Sequence, residues 1–132
     1  GVLANNFGNL LNRTIFLANK RNVKINDFLN IENLFRKKVE EYVKRVENIF
    51  SEFEIKLGCD LISELSDFGN KYITEKKPWE NKNDKEVQVV LNNLSYLLLK
   101  LIDLYEPIIP ESAKRAREAL TTATSVILFK KL

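Results

Sequence analysis

Apolar residues return at three- and four-residue steps along most of this chain. From residue 2 to residue 20 the recurring positions are Leu3, Phe7, Leu10, Leu11, Thr14, Leu17 and Ala18, which predicts an amphipathic helix. On another face Asn5, Asn9 and Arg13 follow one another by four, so the three share one line along that helix. Asparagine weakens a helix relative to Glu or Lys, so a line of it asks for a purpose. Residues 21–30 carry little periodicity and are read as a connecting loop. A second helix is expected over residues 31–50, with Leu34, Phe35, Val39, Tyr42, Val43, Val46, Ile49 and Phe50 on its inner side. Its outer face alternates Arg or Lys with Glu, as a solvated surface does.

Ser51-Glu52-Phe53-Glu54 has the form of a capping box, so a third helix is expected to start there. It carries Ile55, Leu57, Gly58, Leu61, Ile62, Leu65, Phe68 and Tyr72, and ends before Pro78. After a polar loop over residues 80–83, Asn83-Asp84-Lys85-Glu86 reads as another cap. It opens a fourth helix to about Tyr105 whose apolar face is Val87, Val90, Leu91, Leu94, Leu97, Leu98, Leu101, Leu104 and Tyr105. Pro107 ends that helix, and Pro110 suits the first turn of a shorter fifth one through about Leu120. The β-branched run from Thr121 has no firm assignment and can be extended. The fold class expected is all-α, a helical bundle of four long helices plus a short fifth. Residues 1–120 form the bundle and residues 121–132 a C-terminal tail.

The composition narrows what such a bundle could do. At 132 residues the chain is one domain with enough length for its own core. It contains no histidine, which removes the commonest general base and most zinc sites. A di-metal bundle would need a Glu-x-x-His motif from two helices. The glycines Gly1, Gly8, Gly58 and Gly69 are scattered, so no phosphate-cradling loop is formed, and the Glu40/Glu41 pair sits in mixed-charge surface. No catalytic residue and no metal ligand is therefore assigned. The single Cys59 excludes an internal disulfide and is read as a small core residue. Lys100 interrupts the apolar run around Leu97, Leu98, Leu99, Leu101 and Ile102, so no membrane partner is expected. No signal peptide is visible, and a cytoplasmic location is the expectation. With no methionine in the chain, Gly1 is not read as a native start, and the sequence is taken as an excerpt from a longer protein.

Charge and one aromatic residue point to a partner. The net charge is +3, yet no acidic residue precedes Asp27, while Arg13, Lys20, Arg21 and Lys24 all do. That local positive field would attract a phosphate backbone, and Lys20, Arg21 and Lys24 are the candidate phosphate contacts. The only tryptophan, Trp79, follows Pro78 just past the end of the third apolar segment. A helix that stops before a proline should leave this indole at the end of the bundle, where a flat ring can stack on a base. A plainer account is that Trp79 caps the core with its N–H in water. Sequence-specific RNA binding combines stacking with hydrogen bonds to base edges, which Asn and Arg side chains can make. The plainer account here is that the asparagines are filler and Arg13 pairs with a carboxylate of the third or fourth helix.

These residues resemble a known family. Asn9-Leu10-Leu11-Asn12-Arg13-Thr14, followed by Leu17-Ala18-Asn19-Lys20, looks like the opening helix of the anticodon-binding domain of methionyl-tRNA synthetases, which are class I aminoacyl-tRNA synthetases. Asn70-Lys71-Tyr72-Ile73-Thr74-Glu75-Lys76-Lys77-Pro78-Trp79-Glu80 is similar to the signature after that family's third helix. The run from Leu98 to Ala113 resembles its closing helices, and Val126-Ile127-Leu128-Phe129-Lys130-Lys131-Leu132 a phrase that follows them. Glu80-Asn81-Lys82-Asn83 departs from the family's Leu and Lys pattern. The resemblance implies recognition of the CAU anticodon of methionine tRNAs. Trp79 would stack on the first anticodon base, cytosine, and Asn9 and Arg13 would contact base edges, with Asn5 and Pro78 as neighbours. The implied partners are the tRNA anticodon loop and the catalytic domain of the parent chain. No cofactor is implied for this chain itself. The parent ligase would use ATP at a catalytic domain whose signatures are missing here, so the fragment is expected to be inactive alone. The alternatives are a helical interaction or scaffold module with Trp79 as its anchor, or the same domain of a sister class I synthetase.

Overall fold

A computed structural model describes residues 2–21 and 31–131, with side chains over 6–21 and 31–122. Among the described residues the chain is all-helical: α1 (Val2–Arg21), α2 (Asn33–Ser51), α3 (Ile55–Lys76), α4 (Asp84–Tyr105) and α5 (Pro110–Lys131). Helix α4 touches all four others, α3 packs on α1 and α2, and α5 closes the bundle against α1 and α4. The core follows the sequence stripes closely. Phe7, Leu10, Leu11, Thr14, Leu17 and Ala18 of α1 are buried against Leu61, Ile62 and Leu65 of α3 and the leucines of α4. Thr14 is tolerated there because its hydroxyl donates to the Leu10 carbonyl oxygen at 2.8 Å. Cys59 is buried, and burial pushes its thiol pKa up, with Asp60 adding to the shift.

Four sequence expectations change. The fifth helix is 22 residues long, not short, and runs through the stretch set apart as a tail. β-Branched residues lower helix propensity by only tenths of a kcal/mol each, and after Pro110 no proline or glycine interrupts the chain. Helix α3 does not start at a capping box. Ser51 is the last residue of α2, its hydroxyl donates to the Asn48 carbonyl oxygen at 2.6 Å, and the N-cap of α3 is Glu54 without a side-chain cap bond. Leu34, expected inside, is 84% exposed. The buried positions of α2 are Phe35, Val39 and Val46, and Leu34 lies one residue, about 100°, off that line. Ile55 and Leu57 are also exposed, because the first turn of α3 precedes Gly58 and Cys59, where its burial begins.

Helix α4 starts where the sequence places it. The Asn83 side chain accepts from the backbone N–H groups of Lys85 and Glu86 at 3.0 and 3.3 Å, satisfying donors that a helix start leaves open. By length and composition α4 could cross a membrane, against the sequence expectation, yet 67% of its most apolar window is buried inside the bundle. Its apolar surface is used as the core of a helical protein.

Candidate nucleic-acid interface

The third helix ends in a way that throws Trp79 back toward α1. Lys77 adopts a left-handed conformation (φ 44°), its N–H still reaching the Ile73 carbonyl oxygen at 3.2 Å. Such a conformation costs a non-glycine residue on the order of 1 kcal/mol and survives only where its surroundings hold it. The turn continues through Glu80 N–H to Lys77 O at 3.0 Å and Asn81 N–H to Pro78 O at 3.3 Å. The Pro78 ring is buried, whereas Trp79 on its far side is 43% exposed. The indole therefore sits at the bundle's end, as its position in the sequence predicts.

Across from it lies one face of α1. Arg13, Phe16 and Lys20, at steps of three and four, line a groove of about 340 Å³ together with Leu17, Ile73 and Trp79. The Arg13 guanidinium carbon stands 5.9 Å from the centre of the indole, within cation–π range. Its Nη2 donates to Thr74 Oγ1 at 2.9 Å and its Nη1 to the Asn70 side-chain and backbone oxygens at 3.2 and 3.4 Å. Among the described residues Arg13 thus pairs with amide and hydroxyl oxygens, not with a carboxylate. A guanidinium has five N–H donors, more than these contacts use.

Asn70 organises the contact between the two helices. Its amide nitrogen donates to the Asn6 and Ser66 carbonyl oxygens at 3.0 and 3.3 Å. Its Oδ1 accepts from Arg13 Nη1 and from Asn9 Nδ2, the latter at 3.4 Å. Asn9 is exposed, one helical turn before Arg13. The line of Asn9 and Arg13 read from the sequence is thereby seated on α3, with Trp79 at its end.

Not every expected contact is placed in the groove. Lys20 is exposed and lines it. Arg21 is turned to the loop: it donates to the Pro78 carbonyl oxygen at 2.9 Å and to that of Asn81, and pairs with Asp84 at 2.6 Å. Pro78 is buried in the bundle and does not line the groove, whereas Trp79 beside it does. The Asn5 side chain and all of Lys24 lie outside the described residues. Sequence reasoning missed Phe16, which is 68% exposed, and the role of Asn70. Phe16 could have been found as an aromatic off the apolar stripe, three residues after Arg13. Among the described residues no group of His, Cys, Asp or Glu could hold a metal ion. A second, apolar groove of about 270 Å³, lined by Phe7, Leu11, Tyr105, Ile109 and Ala113 among others, shares no residue with this one.

The sequence model for the anticodon binding domain of methionyl tRNA ligase matches residues 26–128. A methionine–tRNA ligase of Borreliella burgdorferi is 31% identical over 118 residues, which is 88% of this chain and 16% of that protein. Methionine–tRNA ligase 2 of Bacillus cereus is 32% identical over 117 residues, 87% of this chain and 22% of that protein. The methionine–tRNA ligase of Methanosphaerula palustris is 32% identical over 115 residues, 86% of this chain and 17% of that protein. The chain therefore spans about a fifth or less of the length of these relatives. No solved structure matches it. With the model covering most of the chain and the relatives agreeing, the chain belongs to the family of methionyl-tRNA ligase anticodon-binding domains.

Proposed function

We propose that this domain reads the CAU anticodon of methionine tRNAs for a parent ligase that joins methionine to tRNA with ATP. The observation that carries the reading is the half-exposed indole of Trp79 facing Arg13 across a groove beside Asn9. A splayed pyrimidine stacks on the indole, a contact worth about 1–3 kcal/mol per base. Arg13 and Asn9 hydrogen-bond base edges, which distinguishes cytosine from a base of another donor and acceptor pattern. Phe16 supplies apolar surface on the opposite wall, and Lys20 attracts the phosphate that follows, without sequence preference.

The domain's part is selection. No side chain here is assigned to aminoacylation, so the chain alone is expected to bind tRNA and not to charge it. ATP would act at the parent's catalytic domain, and no cofactor is assigned to the bundle. Titrating tryptophan fluorescence with a CAU anticodon stem-loop, beside a loop changed at the first base, tests the reading. Trp79 is the only indole, so the signal reports one place. A saturating change with CAU that is much weaker with the control supports it. Equal responses reduce the activity to nonspecific RNA binding, and no response to either favours a scaffold module.

A further inference from the structure

We infer that Arg21 is a positioning residue for Trp79: it fixes the loop that carries the indole, and through the ring it supports selection of the first anticodon base. This rests on the anticodon reading above. As the last residue of α1 it belongs to the basic N-terminal segment, where sequence alone makes it a phosphate contact. Its side chain is instead only 17% exposed. One nitrogen donates to the carbonyl oxygens of Pro78 and Asn81, which bracket Trp79 on both sides, and the other pairs with Asp84 at the start of α4. A single planar fork thus joins the end of α1, both shoulders of the turn and the head of α4. Lysine, a point charge on a flexible stem, does not reproduce that geometry.

The rest of the loop shows why a brace matters. The Asn81 side chain accepts from Asn83 N–H at 2.8 Å and donates to Glu86 at 2.8 Å, which secures the far shoulder. Trp79 itself, with 43% of its surface open, meets the Arg13 guanidinium and shares its groove with Leu17 and Ile73, and the turn that carries it sets how the ring approaches them. A stacking ring that must be ordered on binding loses affinity to that ordering, so a preset ring binds better. Asp84 pairs with the Arg21 charge, and among the described residues at this end of α1 Lys20 is exposed and open to a phosphate.

The test is a double-mutant cycle on CAU stem-loop binding with Arg21→Gln, Arg21→Lys and Trp79→Ala, repeated over a series of salt concentrations, with circular dichroism to confirm the helices. Acrylamide quenching of Trp79 in the RNA-free proteins gives a second readout. The expected result is that Gln and Lys both weaken CAU binding about five- to tenfold, part of what stacking supplies, and both lower the preference over a first-base-changed loop. In the Trp79→Ala background the same changes cost less than about twofold, because the effect runs through the ring. The salt dependence is unchanged and quenching rises in both variants. A phosphate contact would behave otherwise: Arg21→Lys near the starting affinity, Arg21→Gln equally harmful in both backgrounds, and a log–log salt slope flatter by about 0.7. That pattern, or no effect of either substitution, overturns the inference while leaving the anticodon reading intact. A parent domain that does not discriminate between the two loops defeats that reading, and the inference falls with it.

Discussion

Three of the four hydrogen bonds of the Asn70 side-chain amide hold α1 against α3, with Asn6, Asn9 and Arg13, while the fourth, to the Ser66 carbonyl oxygen, stays within α3. Asn70→Ala should therefore loosen Asn9 and Arg13, the side chains proposed to read base edges, and leave Arg13 with Thr74 and the backbone carbonyl oxygen at position 70. We expect lower preference for CAU in competition binding and a loss of about 1–2 kcal/mol in stability, since carbonyl acceptors and a guanidinium lose a partner. Trp79→Ala should cost about 1–3 kcal/mol of binding, with Trp79→Phe between it and the native chain. Phe16→Ala should lower affinity less and leave the melting temperature nearly unchanged, as Phe16 is largely exposed already. The exposed indole at the bundle's end and the Asn–Arg line were legible because each breaks a pattern: an indole after a helix-ending proline, and asparagines where Glu or Lys would serve better. Arg21 was legible only as a charge. Which oxygens a cation meets depends on a turn whose course is set by Lys77 in the left-handed region, and no spacing rule gives that.

Helix ends show the same division. Asn83 was readable as a cap because an asparagine before Asp84 and Glu86 meets the open N–H groups by local geometry alone. Ser51 offered the same letters and served the opposite end. There the chain closes α2 with Phe53 N–H to Phe50 O at 3.0 Å and Glu54 N–H to Ile49 O at 3.2 Å, a Schellman arrangement with Phe53 left-handed at φ 62°. The Phe50 ring also lies on Gly58, where any Cβ would collide with it, so this turn is tied to tertiary packing. A local motif cannot see that competitor. Phe53 is 87% exposed, so its ring contributes little burial while its backbone carries strain. Phe53→Gly should raise stability by about 0.5–1 kcal/mol in chemical denaturation, relief of the left-handed penalty exceeding the added chain entropy. Gly69 gives the opposite sign. A Cβ there would stand 2.6 Å from methyls of both Leu10 and Leu97, where α1, α3 and α4 meet. Gly69→Ala should cost about 1–2 kcal/mol, overpacking outweighing the gain in helix propensity. It should also weaken CAU binding, because Asn70 is the next residue.

Across the whole molecule the helices are joined by polar groups set into apolar layers. Asn93 of α4 is one: it donates to the Glu32 carboxylate at 2.7 Å and to the Tyr72 hydroxyl at 2.9 Å, and accepts from Glu32 N–H at 3.1 Å. It thereby ties the head of α2 and the C-terminal part of α3 to the central helix. Burial pushes the Tyr72 phenol up to about 12; the Asn93 bond opposes the shift and the nearby Glu32 charge adds to it. Burial raises Tyr105 to about 12 as well. In the unfolded chain each phenol ionises near 10. Between about pH 10 and 12 the unfolded state has released these protons while the folded state keeps them, so stability must fall as pH rises. Below the unfolded value both states are protonated and the contribution is complete; past the folded value it is gone. Denaturant midpoints should therefore stay level with respect to these two groups up to about pH 9 and drop steeply above about pH 10. Tyr72→Phe should lower the neutral midpoint, because Asn93 loses an acceptor, yet make the alkaline fall shallower by one proton's worth. A variant as steep as the native chain would mean that Tyr72 ionises freely in the fold, and that the joint between α2, α3 and α4 opens before the bundle does.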